Sequence, residues 1–448
     1  MNYKRKLSQL LVVVAAVVLA SSCGAPAPQA TPGAGPQSIT FHRFFEDCRD
    51  KYAGVTDPWK AEDECGGIEI LANKWNAEHA DTPVNTFVVG WLEYYTRLSA
   101  DIAAGIPPNV SVMHANMMQR YAATGALLPL DELFAEYGID VNDFVPAARA
   151  GATFGGKLYA LPWDIHTYLW QINVDLFKEA GLVDQAGAPI LPKNELEFLA
   201  QAAQMKERTG KEYVMAEDFI WEMGLFTPLV WQQGGDYFDA EGKPTMDTPE
   251  AARALGFMKE LLDGGYSTIG YDSPGAWKHF LDGESATLIS GTWDVRYMDV
   301  QVSSGNAAFK TLKIVPFPTI YDVPADLAGS HMWVLPAASN RDPAQVALDM
   351  KFLKFLYDNN ASWALTGHFP ARISVQESDQ YKALPHRQEY AGAAEIAHQD
   401  PAVSTYPAWQ TVIHEEVAAV SRGQKSISEG LASMQSRMEE FVRMAGGG

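Results

Sequence analysis

Short apolar runs alternate with segments of helical periodicity along the chain after residue 37. Thr86–Val89 and Val110–Met113 are short and apolar enough for buried strands, whereas Ile68–His79 carries its apolar residues at helical spacing. This alternation predicts an α/β fold with a largely parallel sheet. About 410 residues follow residue 37, more than one hydrophobic core usually holds, so we expect two α/β lobes.

The second half of the chain repeats this pattern with longer helices. Thr248, followed by Pro249, is a helix start signal, because Thr can cap a helix and Pro fits its first turn. The helices predicted from apolar periodicity in this half are Glu195–Arg208, Ala251–Leu262, Ala344–Tyr357 and Ser428–Met444.

The N-terminus has the pattern of an export signal followed by a tether. Three basic residues, Lys4–Lys6, precede the apolar run Leu10–Ala20, whose 11 residues are too few to cross a bilayer about 30 Å thick. The small residues before Cys23 resemble a bacterial lipobox, in which the Cys is acylated and becomes the mature N-terminus. We therefore expect a signal peptide over residues 1–22, then a lipidated Cys23 and a flexible tether over residues 23–37.

The net charge of −21 restricts the partners of this chain. A nucleic-acid-binding protein needs a basic face that neutralises phosphates, and Lys and Arg do not cluster outside the N-terminal segment. Negative charge also disfavours docking on anionic lipid. We predict no nucleic-acid partner, and an exported protein held at the extracytoplasmic face of a membrane through Cys23 alone.

Cys48 and Cys65 are the two cysteines that remain after Cys23. An exported protein with one close pair of cysteines usually joins them. A metal site would need further His or Cys ligands at short spacing, and the sequence places none nearby. We predict a disulfide between Cys48 and Cys65, no metal site and no cofactor.

The sequence lacks the familiar catalytic motifs. It has no Gly-rich phosphate loop and no Gly-x-Ser-x-Gly nucleophile elbow. The segment beginning at His414 starts like a zinc-protease motif, but Ala418 occupies the position of the second His. We predict a binding protein rather than an enzyme, although a glycosidase pair of carboxylates stays open as an alternative.

Tryptophan is abundant, with 12 in the chain, and several stand beside polar residues at loop-like junctions. A pyranose has an apolar C–H face, which an aromatic ring covers, and a rim of hydroxyls that polar side chains satisfy. Any single Trp can instead pack in a core with its N–H satisfied. We expect at least two of these Trp side chains to line a sugar site.

Six stretches, in chain order, resemble patterns of the extracellular solute-binding proteins of carbohydrate ABC importers, the class that includes maltose-binding protein. They are Gly105–Val110, Tyr121–Leu130, Gly156–Pro162, Tyr168–Leu182, Phe280–Trp293 and Gly367–Arg372. The resemblance implies a two-lobed, periplasmic-binding-protein-like fold of type II, with hinge crossovers and a ligand cleft between the lobes. Lobe one would comprise residues 38–160 plus 328–372, and lobe two residues 165–320 plus 375–448.

The same resemblance implies a function. A monomer would capture a sugar or oligosaccharide, close around it by hinge bending and deliver it to the subunits of an ABC permease. Two alternatives remain: the same fold binding a non-sugar solute such as a polyamine or a phosphoester, and a secreted glycoside-active enzyme.

The resemblance also carries over residues on loops where the family lines its cleft. From lobe one these are Arg43, Phe44, Glu46, Asp47, Trp91, Tyr94, His114, Asn116, Ser330, His331 and His368. From lobe two they are Trp163, Asp164, Trp231, Trp293 and Asp294. Arg43 and Glu46 could instead pair with each other at the surface, and His114 could be a core histidine. We expect Trp293 to stack on the sugar and Asp294 to accept its hydroxyls.

Overall fold

The computed structural model describes residues 38–338, 341–399 and 406–446. The predicted signal peptide, Cys23 and the tether lie outside the described residues. In chain order the strands are β1 (Ile39–Arg43), β2 (Val84–Val88), β3 (Val110–His114), β4 (Thr153–Phe154), β5 (Lys157–Leu158), β6 (Ala160–Pro162), β7 (Asp164–Asn173), β8 (Glu212–Met215), β9 (Ser285–Gly291), β10 (Leu312–Pro316), β11 (Asp326–Gly329), β12 (His331–Val334), β13 (Phe369–Pro370) and β14 (Ala397–Gln399).

Sixteen α-helices connect and cover these strands in the described part of the chain. They are α1 (Glu64–Glu78), α2 (Trp91–Ala103), α3 (Ala115–Ala123), α4 (Asp131–Tyr137), α5 (Pro146–Gly151), α6 (Val174–Ala180), α7 (Glu195–Thr209), α8 (Phe226–Trp231), α9 (Pro249–Asp263), α10 (Ser273–Leu281), α11 (Val295–Ser303), α12 (Pro343–Trp363), α13 (Ile373–Gln376), α14 (Asp379–Lys382), α15 (Tyr406–Ser421) and α16 (Ile427–Gly446). Among the described residues, no helix combines the length and the apolar character needed to cross a membrane.

The first sheet has five strands in the order β2-β1-β3-β12-β6. β1 is parallel to β2 and β3, while β12 is antiparallel to both of its neighbours. Helices α1 and α12 pack together on this sheet: the ring of Phe352 in α12 lies 5.1 Å from Phe41 of β1 and 5.2 Å from Trp75 of α1. The chain thus builds a buried aromatic core behind the strand ends.

The second sheet is organised around β7, whose ten residues are all buried. β9, β10, β11 and β13 pair with β7, each in antiparallel orientation. The prediction of a largely parallel sheet is therefore right for β1, β2 and β3 and wrong for the strands around β7. Apolar periodicity identifies a buried strand but carries no information about the direction of its neighbours.

Helix boundaries follow the capping chemistry of the sequence. The Thr248 side chain accepts the Ala251 N–H at 3.2 Å, and Pro249 opens α9, as predicted. Asn194 caps α7 by accepting the Glu197 N–H at 2.9 Å, and Gly210 ends that helix with φ 73°, where a side chain would be strained. The four helices predicted in the second half all form, within a few residues of the predicted bounds and longer by six residues at the end of α12.

The disulfide between Cys48 and Cys65 forms, which confirms that prediction. It ties the loop after β1 to the first turn of α1. Arg43, at the end of β1, lies fully buried beneath the same loop and donates to the carbonyl oxygens of Phe45 and Glu46, each at 2.6 Å. A covalent bond and a buried guanidinium therefore fix the backbone that follows β1.

Candidate functional site

Two single-residue connections join the sheets and lie side by side. Trp163 carries the chain from β6 in the first sheet to β7 in the second, and Ser330 carries it back from β11 to β12. The Ser330 hydroxyl donates to the Asp164 carbonyl oxygen at 2.6 Å, and the His331 N–H donates to the Asp164 carboxylate at 2.9 Å. These crossovers form the hinge region that the sequence predicted, and the polar side chains of the site gather around them.

An aromatic wall lines the first-sheet side of this region. The Phe44 ring is stacked on His114 with centroids 5.0 Å apart, and Trp91 lies 5.4 Å from Phe44 and 4.7 Å from His114. Trp91 is 44% exposed, which is unusual for a Trp at the start of a helix that packs on a core. Tyr94 supports Phe44 from behind, and its hydroxyl donates to the Val112 carbonyl oxygen at 2.9 Å.

The second-sheet side contributes another aromatic pair. The Trp293 ring lies 5.5 Å from Tyr168 and 5.7 Å from His166. His166 lies 5.8 Å from His114, so the histidines connect Trp293 with the aromatic wall that contains Trp91. Aromatic rings from both sheets thus converge on one group of imidazoles.

The carboxylate of Asp164 lies at the centre of this group and is fully buried. It accepts from His331 Nδ1 at 2.8 Å, from Trp363 Nε1 at 2.7 Å and from His166 Nδ1 at 3.2 Å, in addition to the His331 N–H. Burial opposes its ionisation, but the neighbouring imidazoles and these N–H donors hold the pKa of Asp164 well below its usual value. Asp164 is therefore a buried anion that orients two histidines.

His368 and Glu64 complete the group. His368 is fully buried, and its Nε2 lies 3.2 Å from Glu64 Oε1 and 3.8 Å from Asp164 Oδ2. Burial lowers the pKa of His368 to about 3 and raises the pKa of Glu64 to about 7. Burial and the neighbouring imidazoles also hold the pKa of His114 well below its usual value. The imidazoles of His368 and His114 are therefore neutral at pH 7.

The structure brings nine of the predicted site residues to this hinge region. They are Phe44, Trp91, Tyr94, His114, Asp164, Trp293, Ser330, His331 and His368.

Arg43 and Asp47 are engaged within the loop after β1, whereas the Glu46 side chain is exposed and its charge acts on Glu64 of the imidazole group. Arg43 does not pair with the Glu46 carboxylate at the surface; it is buried and bound to Glu69 at 2.6 Å. Glu46 contributes its backbone carbonyl to Arg43 and adopts φ 44°. Asp47 forms an exposed ion pair with Arg49. These residues shape the loop that carries Phe44.

Two of the predicted Trp side chains pack into the protein interior. Trp163 is fully buried, with ring centroids 5.8 Å from both Trp333 and Trp363. Trp231 is partly buried and packs 5.7 Å from Tyr237, away from the imidazole group. A Trp beside polar residues in the sequence can be a core residue, because its indole is large and mostly apolar.

Asp294 and Asn116 have polar groups with different surroundings. The Asp294 carboxylate is buried and accepts from Trp277 Nε1 at 2.9 Å and from the Ser290 hydroxyl. Burial, followed by the nearby carboxylate of Glu217, raises the pKa of Asp294 well above its usual value. Asn116, at the start of α3, is half-buried, and its Oδ1 has no hydrogen-bond partner.

Sequence reasoning missed four side chains of this region: Glu64, Tyr95, His166 and Tyr168. One signal could have found His166, because residues two apart on a strand share a face and Asp164 was already a candidate. Tyr95, whose hydroxyl lies 2.7 Å from His114 Nδ1, is one helix position beyond the candidate Tyr94. Glu64 precedes Cys65 in a segment whose sequence indicates only a helix start.

Comparisons with known proteins cover between half and about nine tenths of the chain. A family model described as bacterial extracellular solute-binding protein matches residues 64–362. A putative binding protein of Brucella abortus is 24% identical over 50% of this chain and 51% of its own length, so this chain spans about half of that relative. The arabinooligosaccharide-binding protein of Bacillus subtilis is 22% identical over 84% of this chain and 83% of its own length.

Solved structures extend the likeness to the fold. The GacH receptor of Streptomyces glaucescens, described unliganded and in complex with acarbose, superposes with a TM-score of 0.75 at 22% identity, covering 91% of this chain and 99% of GacH. Maltose-bound T. maritima MalE3 superposes with a TM-score of 0.75 at 19% identity, covering 90% of this chain and 99% of its own. At these identities the likeness concerns the fold, and it confirms the predicted two-lobed α/β architecture.

Proposed function

This chain belongs to the family of bacterial extracellular solute-binding proteins, and we propose that it captures a sugar or oligosaccharide between its two lobes and delivers it to an ABC permease. The observation that carries the proposal is the convergence of Trp91 and Trp293, from the two sides of the hinge region, on a group of imidazoles and carboxylates. Rings of this kind cover the apolar face of a pyranose, and the polar groups satisfy its hydroxyls. The Bacillus subtilis relative, named as an arabinooligosaccharide-binding protein, supports the same solute class.

Within this proposal the predicted site residues have different roles. Phe44, Trp91, His114 and Trp293 contact the solute. Tyr94 is a positioning residue, because its ring supports Phe44 and its hydroxyl is engaged by backbone.

A phosphoester solute is a weaker candidate for this site. Binding a phosphate calls for convergent cationic donors or a helix N-terminus. Arg43 precedes Phe44 in the sequence, but its guanidinium is already bound to Glu69 and to two carbonyl oxygens, so it does not offer a phosphate free donors. The groups that converge with Trp91 and Trp293 are imidazoles and carboxylates, which suit hydroxyl groups better than a dianion.

The proposal includes the anatomy of the whole chain. Residues 1–22 are a signal peptide that is removed, Cys23 is lipidated, and residues 23–37 tether a monomer to the extracytoplasmic face of the membrane. Lobe one comprises residues 38–160 plus 328–372 and lobe two residues 165–320 plus 375–448. Two of these bounds need a correction, because β11 (Asp326–Gly329) and β13 (Phe369–Pro370) both pair with β7 of the second sheet. The returning segment of lobe one therefore begins after residue 329 and ends before residue 369.

A thermal-shift screen of the mature protein tests the solute class. The library contains arabino-, malto- and chito-oligosaccharides, with glycerophosphodiesters and polyamines as the competing classes. A solute at 100 times its dissociation constant stabilises the folded protein by about 2.7 kcal/mol and raises the melting temperature. A shift by phosphodiesters or polyamines and none by sugars would overturn the sugar assignment. A sugar recovered cleaved after incubation would move the protein to the enzyme class.

Variants of two tryptophans locate the site once a solute is found. Trp91→Ala removes a half-exposed ring from the aromatic wall, and we expect binding about ten- to thirty-fold weaker, or about 1.4–2 kcal/mol. Trp59→Ala is the matched control, because Trp59 is similarly exposed, at 36%, on a short 3-10 helix elsewhere in the fold. Equal dissociation constants for the two variants would refute the location of the cleft.

Detergent partitioning tests the membrane anchor. We expect the full-length protein, expressed with its signal in a bacterial host, to enter the detergent phase. Cys23→Ser should give aqueous or unprocessed protein, because acyl chains supply the affinity for the bilayer. If both forms partition alike, the lipid anchor is wrong, whatever the solute is.

A further inference from the structure

Four buried side chains of the hinge region present metal-binding atoms to one another. They are Asp164, His166, His331 and His368, and one donor atom from each lies within 4.8 Å of the others. They come from β7, from β12 and from the turn before β13, so the group joins segments of both sheets at the crossovers. From the sequence we predicted no metal site, since no further His or Cys lies near Cys48 and Cys65; these four residues are dispersed along the chain.

The hydrogen bonds around His368 fix the position of its proton. The Thr366 hydroxyl donates to the Trp363 carbonyl oxygen at 2.7 Å, so its oxygen is left to accept from His368 Nδ1, which lies 2.8 Å away. His368 therefore carries its proton on Nδ1 and presents a lone pair at Nε2.

That lone pair faces two carboxylates. His368 Nε2 lies 3.2 Å from Glu64 Oε1 and 3.8 Å from Asp164 Oδ2, and neither Nε2 nor Glu64 Oε1 has a hydrogen-bond partner. Buried acceptors that face one another without a donor are costly, because each has lost its water. A cation bound by His368 Nε2 and Asp164 gives the imidazole lone pair a partner and places a positive charge beside the Glu64 carboxylate.

We propose that Asp164, His166, His331 and His368 bind a divalent transition-metal ion of the Zn²⁺ type. Three imidazoles and one carboxylate are a donor set that zinc prefers. With bonds of about 2.1 Å, neighbouring donors of a tetrahedral shell lie about 3.4 Å apart. Asp164 Oδ2 lies 2.8 Å from His331 Nδ1 and 3.8 Å from His368 Nε2, and Asp164 Oδ1 lies 3.2 Å from His166 Nδ1. All four donor atoms lie within 4.8 Å of one another, so a bound ion would draw the more distant ones inward.

Surrounding groups hold these ligands in place. Trp363 Nε1 and the His331 N–H donate to the Asp164 carboxylate, and Thr366 holds the Nδ1 of His368. Such outer partners orient ligands in metal sites. Coordination through Nδ1 leaves the Nε2 of His166 and of His331 to carry the imidazole proton. With four protein ligands the ion is structural: it joins the two crossovers, and His114 stays outside its shell as the imidazole that meets the solute.

Equilibrium dialysis with Zn²⁺ tests the site without any sugar, so its failure is distinct from failure of the proposed solute. The protein is the mature chain without a histidine tag, stripped with a chelator and dialysed against buffered Zn²⁺. We expect one ion per chain. Co²⁺ in place of Zn²⁺ should give the intense visible absorption of a tetrahedral site. Less than half an ion per chain would overturn the proposal and leave a proton shared by Glu64 and His368 as the compensating cation.

Single variants assign the ion to these side chains. His368→Gln and His166→Gln should each weaken Zn²⁺ binding by more than about 100-fold, since outer-partner changes alone cost about 10–100-fold. His279→Gln is the matched control, because His279 also pairs with a carboxylate, Glu212 at 3.1 Å, in another part of the second lobe. Two ligand variants are used so that one misfolded protein, identified by circular dichroism, leaves the other informative. Unchanged affinity in a folded ligand variant, or a loss in the control alone, would refute the assignment.

Discussion

Replacing Arg43 by Met tests how the loop after β1 is held. The guanidinium is fully buried, donates to Glu69 at 2.6 Å and also donates to the carbonyl oxygens of Phe45 and Glu46. Met keeps most of the side-chain length and removes the charge and all of these donors. The Glu69 side chain, only 7% exposed, is then a buried carboxylate without its partner.

The expected cost follows from what is left unpaired. Breaking a buried ion pair from one side costs about 3–5 kcal/mol, and each carbonyl that loses its donor adds about 1 kcal/mol. These contributions come from one connected network and therefore do not add in full. We therefore expect Arg43→Met to lower the free energy of unfolding by about 3–5 kcal/mol at pH 7. Adding Glu69→Gln should restore about 2 kcal/mol, because it removes the stranded charge.

Urea unfolding followed by Trp fluorescence measures both effects. Arg49→Met is the control, because Arg49 pairs with Asp47 and both side chains are about half exposed; its cost should stay below about 1 kcal/mol. A cost for Arg43→Met no larger than for Arg49→Met would refute the reasoning. So would a double variant, with Glu69→Gln, that is no more stable than Arg43→Met alone.

Two further predictions concern a histidine beside α11 and the glycine that precedes His368. Burial opposes the charge on His386, but hydrogen bonds with Asp299 and Glu389 raise its pKa from 6.5 to about 9, so its stabilisation is fully present below pH 6.5 and is lost as pH rises through 9. Asn tolerates the backbone φ of 57° at this position. His386→Asn should lower the free energy of unfolding by about 1–2 kcal/mol at pH 6, after allowance for solvent screening, and by almost nothing at pH 10. An equal cost at both pH values would contradict this. Gly367→Ala should lower the melting temperature by several degrees, because φ is 119° and the new Cβ would lie 2.1 Å from the Thr292 carbonyl oxygen; an unchanged melting curve would show that this turn adjusts freely.

Local features of the fold were predictable from the sequence because their causes are local. The start of α9 follows from Thr248 and Pro249, whose capping roles depend on residues three or fewer positions away. The disulfide could be predicted because Cys48 and Cys65 were the only cysteines left to pair after Cys23. Strand directions around β7 could not be predicted, since they depend on segments more than a hundred residues apart.

The sequence identified several side chains that lie in the hinge region, but not how they are arranged there. His331 and His368 were candidates, but their joint relation to Asp164 depends on how two distant crossovers meet. Arg43 was expected to face the ligand or to pair with Glu46 at the surface. Its partner in the structure, Glu69, lies in a segment whose sequence pattern predicts a helix but does not identify a partner for Arg43. Sequence spacing identifies residues that reach a loop, whereas burial and partner choice arise from long-range packing.

The pairing of the continuous strand β7 predicts how fast its amide hydrogens exchange with solvent. Its partners change along its length: Asp164–Thr167 pair with β13 and β11, and Leu169–Asn173 pair with β10 while β9 covers Tyr168–Ile172. Amide hydrogens in the later segment are bonded between two neighbours and exchange with deuterium only when the sheet opens as a whole. Amides at the beginning of β7 border the crossovers, so they exchange through smaller openings. Deuterium uptake along this one strand should therefore rise towards Asp164, and its gradient would report how often the strand pairs beside the crossovers open.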